Sequence, residues 1–336
     1  MELTDNIKQA LMEKKPGLSE KTIQRYINDT QRIYKQVFGK DLNKEKNFKW
    51  IRSIDQIEKY FDEKNRSIST RNTIYSSIIE VLRALDHPDT KGLKDLVEQR
   101  QKYGDEYNSI EDGLKSKKQE DSFIDAKLID DKIDQYEKEI KVNRNPDPDL
   151  LQIWMILKLI RGFSFRNEVA SLEFVTKPIY LQEKGKTERN MIVMDPEGWF
   201  ISKNKYKTSK KYGEVIIPLE GQILEDIKFF RNLTMKRGNN LFKSSFQKTK
   251  RPTMMTSNSL SKYLLNWSNK ELPPVTLEDG SKKPRNLAPN MIVKVYESAE
   301  HGASKASLSK QSKNRGNKPE TMMKHYVSTK KPTGFY

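Results

Sequence analysis

The stretch NMIVMDPEGWFISKNKYKTSKKYGEVIIPL (residues 190–219) decides the fold. Three short runs within it, NMIVM (190–194), GWFISKN (198–204) and GEVIIPL (213–219), are rich in β-branched and aromatic residues and are separated by turn signals. DPEG makes the first turn and KYKTSKKYG a second, far more basic one. The surroundings read as helix. LLQIWMILKLI (150–160) is too short to span a bilayer and contains Lys158, so it predicts a buried helix. SFIDAKLIDDKIDQYEKEI (122–140) precedes it, while GQILEDIKFFRNL (221–233) and SNSLSKYLLNWSN (257–269) follow the strands. The expected fold is mainly α with a small antiparallel β-sheet.

Further upstream the pattern is helical throughout. KTIQRYINDTQRIYKQVF (21–38) repeats apolar residues at helical spacing, with Ser19 placed to cap it. SIDQIEKYFDEK (53–64) forms a second helix, and a third opens at Ser69 and stops before His87-Pro88. Apolar periodicity then fades through EQRQKYGDEYNSIEDGLKSKKQED (98–121). Residues 1–100 therefore predict a helical domain, 101–121 a linker, and 122–336 a second domain. The segment 302–316 is rich in Ser and Lys and is expected to be exposed. No internal repeat is present.

Composition narrows the function. The 336 residues carry 63 Lys and Arg against 46 Asp and Glu, a formal charge of +17. Such a surplus favours a polyanionic partner through steering and counterion release; solubility alone is the alternative reading. Absent cysteine excludes disulfides, thiolate metal sites and cysteine catalysis. Three widely separated histidines, His87, His301 and His325, argue against a metal site. No P-loop or Gly-rich phosphate loop occurs. The N-terminus lacks a hydrophobic signal region, which predicts an intracellular rather than a secreted protein.

Four segments in order, LSEKTIQRYINDTQRIYK with SISTRNTIYSSIIEVLRAL, SFRNEVASLEF, KNKYKTSKKYGEVIIPL and RGNKPETMMKHYV (315–327), resemble the tyrosine recombinases, or integrases. The likeness points particularly to those of large eukaryotic DNA viruses and virophages, and it covers residues 18 to 327. It implies an N-terminal helical core-binding domain that clamps duplex DNA and a C-terminal tyrosine-recombinase-like catalytic domain. It further implies strand cleavage and rejoining through a 3′-phosphotyrosyl bond, tetramers on double-stranded DNA, and no cofactor. For a viral protein the compartment would be the cytoplasm or nucleus of the host cell.

Carried over residue by residue, the resemblance makes Tyr326 the nucleophile and Arg166 the first catalytic arginine, with Glu168 following it. A planar guanidinium can hold two phosphate oxygens at once; a surface ion pair with Glu168 is the alternative. Lys207 corresponds to the catalytic lysine, a general acid for the leaving 5′ oxygen. Lys203, Lys205, Lys210 and Lys211 beside it are candidate DNA-phosphate contacts, a role open to Lys207 too. In LAPNMIVKVYESAEH (287–301), Asn290 takes the place of the family histidine and Val293 that of its arginine. Lys294 is the only cation in that turn and the candidate substitute, and Arg285 precedes it as a candidate DNA contact; restoring Val293→Arg together with Asn317→His is expected to raise cleavage if those positions face phosphate. Asn317 stands where the family has a second histidine. Tyr326 could instead pack in a C-terminal core. The altered positions leave a second reading open, a recombinase-derived DNA-binding or DNA-packaging protein without cleavage.

Overall fold

A computed structural model describes residues 2–109, 123–206, 208–234, 239–243, 254–276 and 280–301. The chain divides into two compact units, Met1–Glu111 and Asp112–Tyr336. None of the described helices is long and apolar enough to cross a membrane.

The first unit is all helical: α1 (Leu3–Lys14), α2 (Glu20–Phe38), α3 (Ile54–Glu63), α4 (Ile68–Ala84) and α5 (Thr90–Ser109). Helix α2 starts where expected, since the Ser19 hydroxyl accepts a hydrogen bond from the Thr22 N–H and satisfies one of the first-turn donors. It ends on Gly39, whose φ of 68° is left-handed backbone that glycine adopts without a Cβ clash. Its apolar stripe, Ile23, Ile27, Ile33 and Tyr34, is buried. Helix α4 opens one step earlier than the sequence suggests. The Ser67 hydroxyl takes the Thr70 N–H at 3.3 Å, so Ser67 rather than Ser69 is the cap.

Helix α5 spans the end of the first expected domain and the start of the connector, a segment the sequence reads as partly helical. The helix continues to Ser109, with Leu96 and Tyr103 buried. A polar network replaces the missing apolar periodicity. The Glu58 carboxylate on α3 accepts from the Tyr75 hydroxyl at 2.5 Å, from the Tyr103 hydroxyl, and from Arg71 at 3.3 Å. Burial and then Glu58 push the Tyr75 hydroxyl far above the usual phenol pKa, so it stays a donor. Gly92 lets α5 approach the 3₁₀ turn at Lys49–Arg52, because a Cβ there would lie 2.9 Å from Ile51.

The second unit opens with α6 (Ala126–Val142) and α7 (Pro148–Phe163). Asp147 caps α7 by accepting from the N–H groups of Asp149 and Leu150, at 2.7 and 3.0 Å, and Pro148 fits the first turn. Helix α7 is buried along its length, as its apolar sequence requires. Its one charged interior residue, Lys158, is compensated by Glu137 of α6 at 2.7 Å and by an ion pair with Asp226, and its ammonium lies 5.0 Å from the Trp154 ring centroid. Chain order then runs β1 (Leu172–Thr176), α8 (Lys177–Glu183), β2 (Asn190–Met194), β3 (Phe200–Lys203), α9 (Ser209–Tyr212) and β4 (Val215–Pro218). After these come α10 (Gly221–Thr234), α11 (Ser257–Glu271), a small β5 (Val275–Thr276) and β6 (Lys282–Lys283) ladder, and α12 (Pro289–His301).

The sheet order is β1-β2-β3-β4. Its three expected strands, β2 to β4, pair antiparallel. A fourth makes the sheet mixed: β1 runs parallel to β2, Leu172 opposite Asn190, connected through α8. Phe174, Ile192, Ile201 and Ile217 face one another across all four strands and join the main helical core. Val175, Tyr180, Met191 and Val193 form a smaller cluster. The basic loop read as a plain turn contains the short helix α9.

Candidate DNA-phosphate site

Arg166 leads into a 3₁₀ turn, Asn167–Ser171, that joins α7 to β1. It is 8% exposed, and its guanidinium lies 3.3 Å from the Glu168 carboxylate. Glu168 also accepts the Arg166 backbone N–H at 3.0 Å, so one acid fixes both ends of the arginine. The ion pair offered as an alternative therefore exists, but it is buried rather than on the surface. A guanidinium shielded from water keeps more of its electrostatic effect than an exposed one.

The turn is anchored from several sides. Ser164 closes α7 with φ at 52°, a left-handed conformation that is uncommon for a residue with a side chain. Its hydroxyl donates to the carboxylate of Glu297, buried on α12. Phe165 is buried against Phe163, with ring centroids 5.5 Å apart. Backbone strain held by surrounding contacts is a recurring mark of functional turns.

Lys203 is the surprise. Its position at the end of β3, among other lysines, suggests an exposed phosphate contact, yet it is 1% exposed. Its ammonium sits 5.3 Å from the Phe165 ring centroid and 4.6 Å from that of Tyr206. The Tyr206 hydroxyl donates to Gly213 O at 2.8 Å, which folds the start of the basic loop back on its end. The alternation of β3 held the clue: Ile201 and Lys203 share a face, and Ile201 is core. Lys205 is exposed, with Glu188 at 3.8 Å. Lys210 and Lys211 lie in α9. Lys207, Asn317 and Tyr326 fall outside the described residues.

Helix α12 buries the position that the resemblance aligns with the family arginine. Val293 is fully buried with Ile292, Val295 and Tyr296 in the main core, so position 293 turns away from any bound phosphate. Asn290 is exposed and Lys294 half-buried, and one turn separates them on the face away from the core. The Arg285 guanidinium is occupied by backbone, donating to Pro273 O at 2.8 Å and to Phe123 O at 2.7 Å. Burial lowers its pKa. Arg161 pairs with Asp130 at 3.4 Å.

No family model matches the sequence, and no curated protein matches it. Among solved structures, the chain is similar to the Tn1549 transposon integrase in complex with a circular-intermediate DNA. Identity is 13%, the match covers 98% of this chain and 96% of that one, and the TM-score is 0.53. It is also similar to XerA recombinase at 11% identity, with 96% and 93% covered and a TM-score of 0.38. The fold is that of two-domain tyrosine recombinases. The Tn1549 integrase match extends over nearly the full length of both chains, so both units belong to this fold.

Proposed function

We propose that the protein binds duplex DNA and breaks and rejoins its strands through a 3′-phosphotyrosyl intermediate. The observation that carries this reading is the buried Arg166, fixed by Glu168 in a braced turn beside the lysine-bearing hairpin. In the reaction, the Tyr326 hydroxyl loses its proton to water, its oxygen bonds to phosphorus, and the bond from phosphorus to the 5′ oxygen breaks. Arg166 neutralises charge gathering on the non-bridging oxygens, and Lys207 gives a proton to the departing 5′ oxygen. Asn317 donates a hydrogen bond to phosphate, and Lys294 supplies a further positive charge. Lys205, Lys210 and Lys211 hold the DNA backbone, and the first unit clamps the duplex. Rejoining is the reverse attack by a 5′-hydroxyl. A tetramer on two duplexes, and a viral role in integration or excision, belong to the same proposal.

A nicked duplex that traps the covalent adduct tests the reading on denaturing gels. Tyr326→Phe should abolish the adduct while binding persists, and Arg166→Ala should reduce it by about 10²–10³. An adduct surviving in Tyr326→Phe would assign the chemistry to another residue.

Burial of Val293 favours a second reading, DNA binding without cleavage. That reading expects salt-sensitive binding and no adduct from the unaltered protein.

A further inference from the structure

We propose that Asn190 is a positioning residue that locks residues 204–205, where the basic loop leaves the sheet, to the turn presenting Arg166. The catalytic part of this inference rests on the strand-cleavage reading; its DNA-binding part does not.

Asn190 opens β2 and is 1% exposed, an unfavourable setting for a residue depleted in strands unless its amide is used. Every polar atom of that amide has a partner. Its Oδ1 accepts the backbone N–H groups of Asn204 at 3.0 Å and Lys205 at 2.8 Å. Backbone N–H groups can only donate, which fixes the oxygen on that side. Its Nδ2 then donates to Lys205 O at 3.1 Å and to Ser171 Oγ at 3.2 Å, with Glu168 O at 3.5 Å. One side chain thus joins residues 204–205, where the chain leaves the sheet, to residues 168–171 of the arginine turn.

The place matters as much as the bonds. The β2–β3 ladder is in register from Met191 opposite Ser202, and β3 ends at Lys203. Past that rung the Asn190 amide takes the place of a strand partner, accepting the N–H groups of Asn204 and Lys205. Asn204 extends the join, donating to Arg189 O at 3.0 Å and Ser202 Oγ at 2.9 Å. An error of about 1 Å in a catalytic group can cost about 10²-fold in rate.

Two variants divide the residue. Asn190→Asp keeps the oxygen for Asn204 and Lys205 but sets a second oxygen against the Lys205 and Glu168 carbonyls; Asn190→Ala removes everything. Each is assayed for adduct on a nicked duplex with the ordinary phosphodiester, and on one whose bridging 5′ oxygen is replaced by sulfur. With sulfur, the bond from the tyrosine oxygen to phosphorus forms and the P–S bond breaks, releasing a thiolate that needs no proton. If Asn190 places the proton-donating lysine, both variants lose about 10²-fold on the oxygen substrate and come within tenfold of the unaltered protein on the sulfur substrate. Arg166→Ala, which acts on phosphate charge, loses on both. Equal losses on both substrates in the Asn190 variants would overturn the inference. Should Asn190→Ala fail to fold, the isosteric Asn190→Asp carries the test.

If the unaltered protein forms no adduct on either substrate, the cleavage reading fails and duplex binding decides. The variants should then reduce the slope of log affinity against log salt by about 1–2, matching one or two lost phosphate contacts, with binding measured well below each variant's own melting temperature. An unchanged slope would overturn the inference.

Discussion

Substituting arginine for Val293 separates the structure from the sequence register most sharply. The register aligns position 293 with a phosphate-binding arginine, so Val293→Arg should restore chemistry. The structure places that side chain at 0% exposure in the main core. Losing the buried valine removes about 1.5–3 kcal/mol of apolar stabilisation. Placing an unpaired guanidinium among apolar side chains costs a further ~3–5 kcal/mol. The total, about 5–8 kcal/mol, compares with ~5–15 kcal/mol for the stability of a typical domain. At ~2–4 °C per kcal/mol for a unit of this size, the melting temperature should fall by at least 10 °C. Thermal unfolding followed by far-ultraviolet circular dichroism measures this directly. Lys294→Arg, on the half-buried neighbouring face, is the control and should shift the midpoint by a few degrees at most. A Val293→Arg protein that melts normally and cleaves DNA better would refute the orientation of α12 described above.

Three further outcomes follow from the polar networks. Tyr103→Leu should destabilise the first unit by about 1–3 kcal/mol in urea unfolding, because Glu58 and Arg71 lose a shared partner; no effect would return residue 103 to a linker. Burial alone would raise the Glu137 pKa, but hydrogen bonds from Lys141 and Lys158 outweigh it and hold the carboxyl at about 2. A folded-state pKa below the unfolded one stabilises at higher pH, so this contribution should be full above about pH 4.5 and disappear as pH falls toward 2. In Glu137→Gln, unfolding midpoints should depend less on pH across that window. Arg285→Ala should lower stability by about 2 kcal/mol, since two backbone carbonyls lose their donor, and leave the salt slope of DNA binding unchanged. A smaller slope would instead make Arg285 a phosphate contact.

Much of the fold is legible in the sequence, and the exceptions share a cause. Helices α2, α4, α7 and α11 announce themselves by apolar spacing, and β2 to β4 by short branched runs between turn residues. Strand β1 does not, because five residues, LEFVT, give no period of their own and their partner lies beyond an intervening helix. Helix α5 shows only in part, because hydroxyl–carboxylate bonds to Glu58 do work that periodicity arguments assign to apolar residues. At the site, Arg166 is singled out by the resemblance of SFRNEVASLEF, whereas Lys203 reads as one more surface cation. Alternation with core Ile201 points it inward, and only the end of β3 at Lys203 separates it from Lys205, which has the same parity. Asn190 gave no signal at all, since an asparagine beginning a strand reads as the tail of a turn.

The parallel pairing of β1 with β2 has a bearing on when activity can arise during synthesis. Leu172 must find Asn190 across an intervening helix, a closure slower than that of a tight hairpin. The lysine loop can close locally as soon as β4 exists, but it meets the arginine turn only through that slower step. A chain still emerging from the ribosome would therefore expose a ready-made basic loop before its arginine is seated beside it. Refolding from urea should show the same order, with hairpin amides protected from exchange before the amide of Arg166.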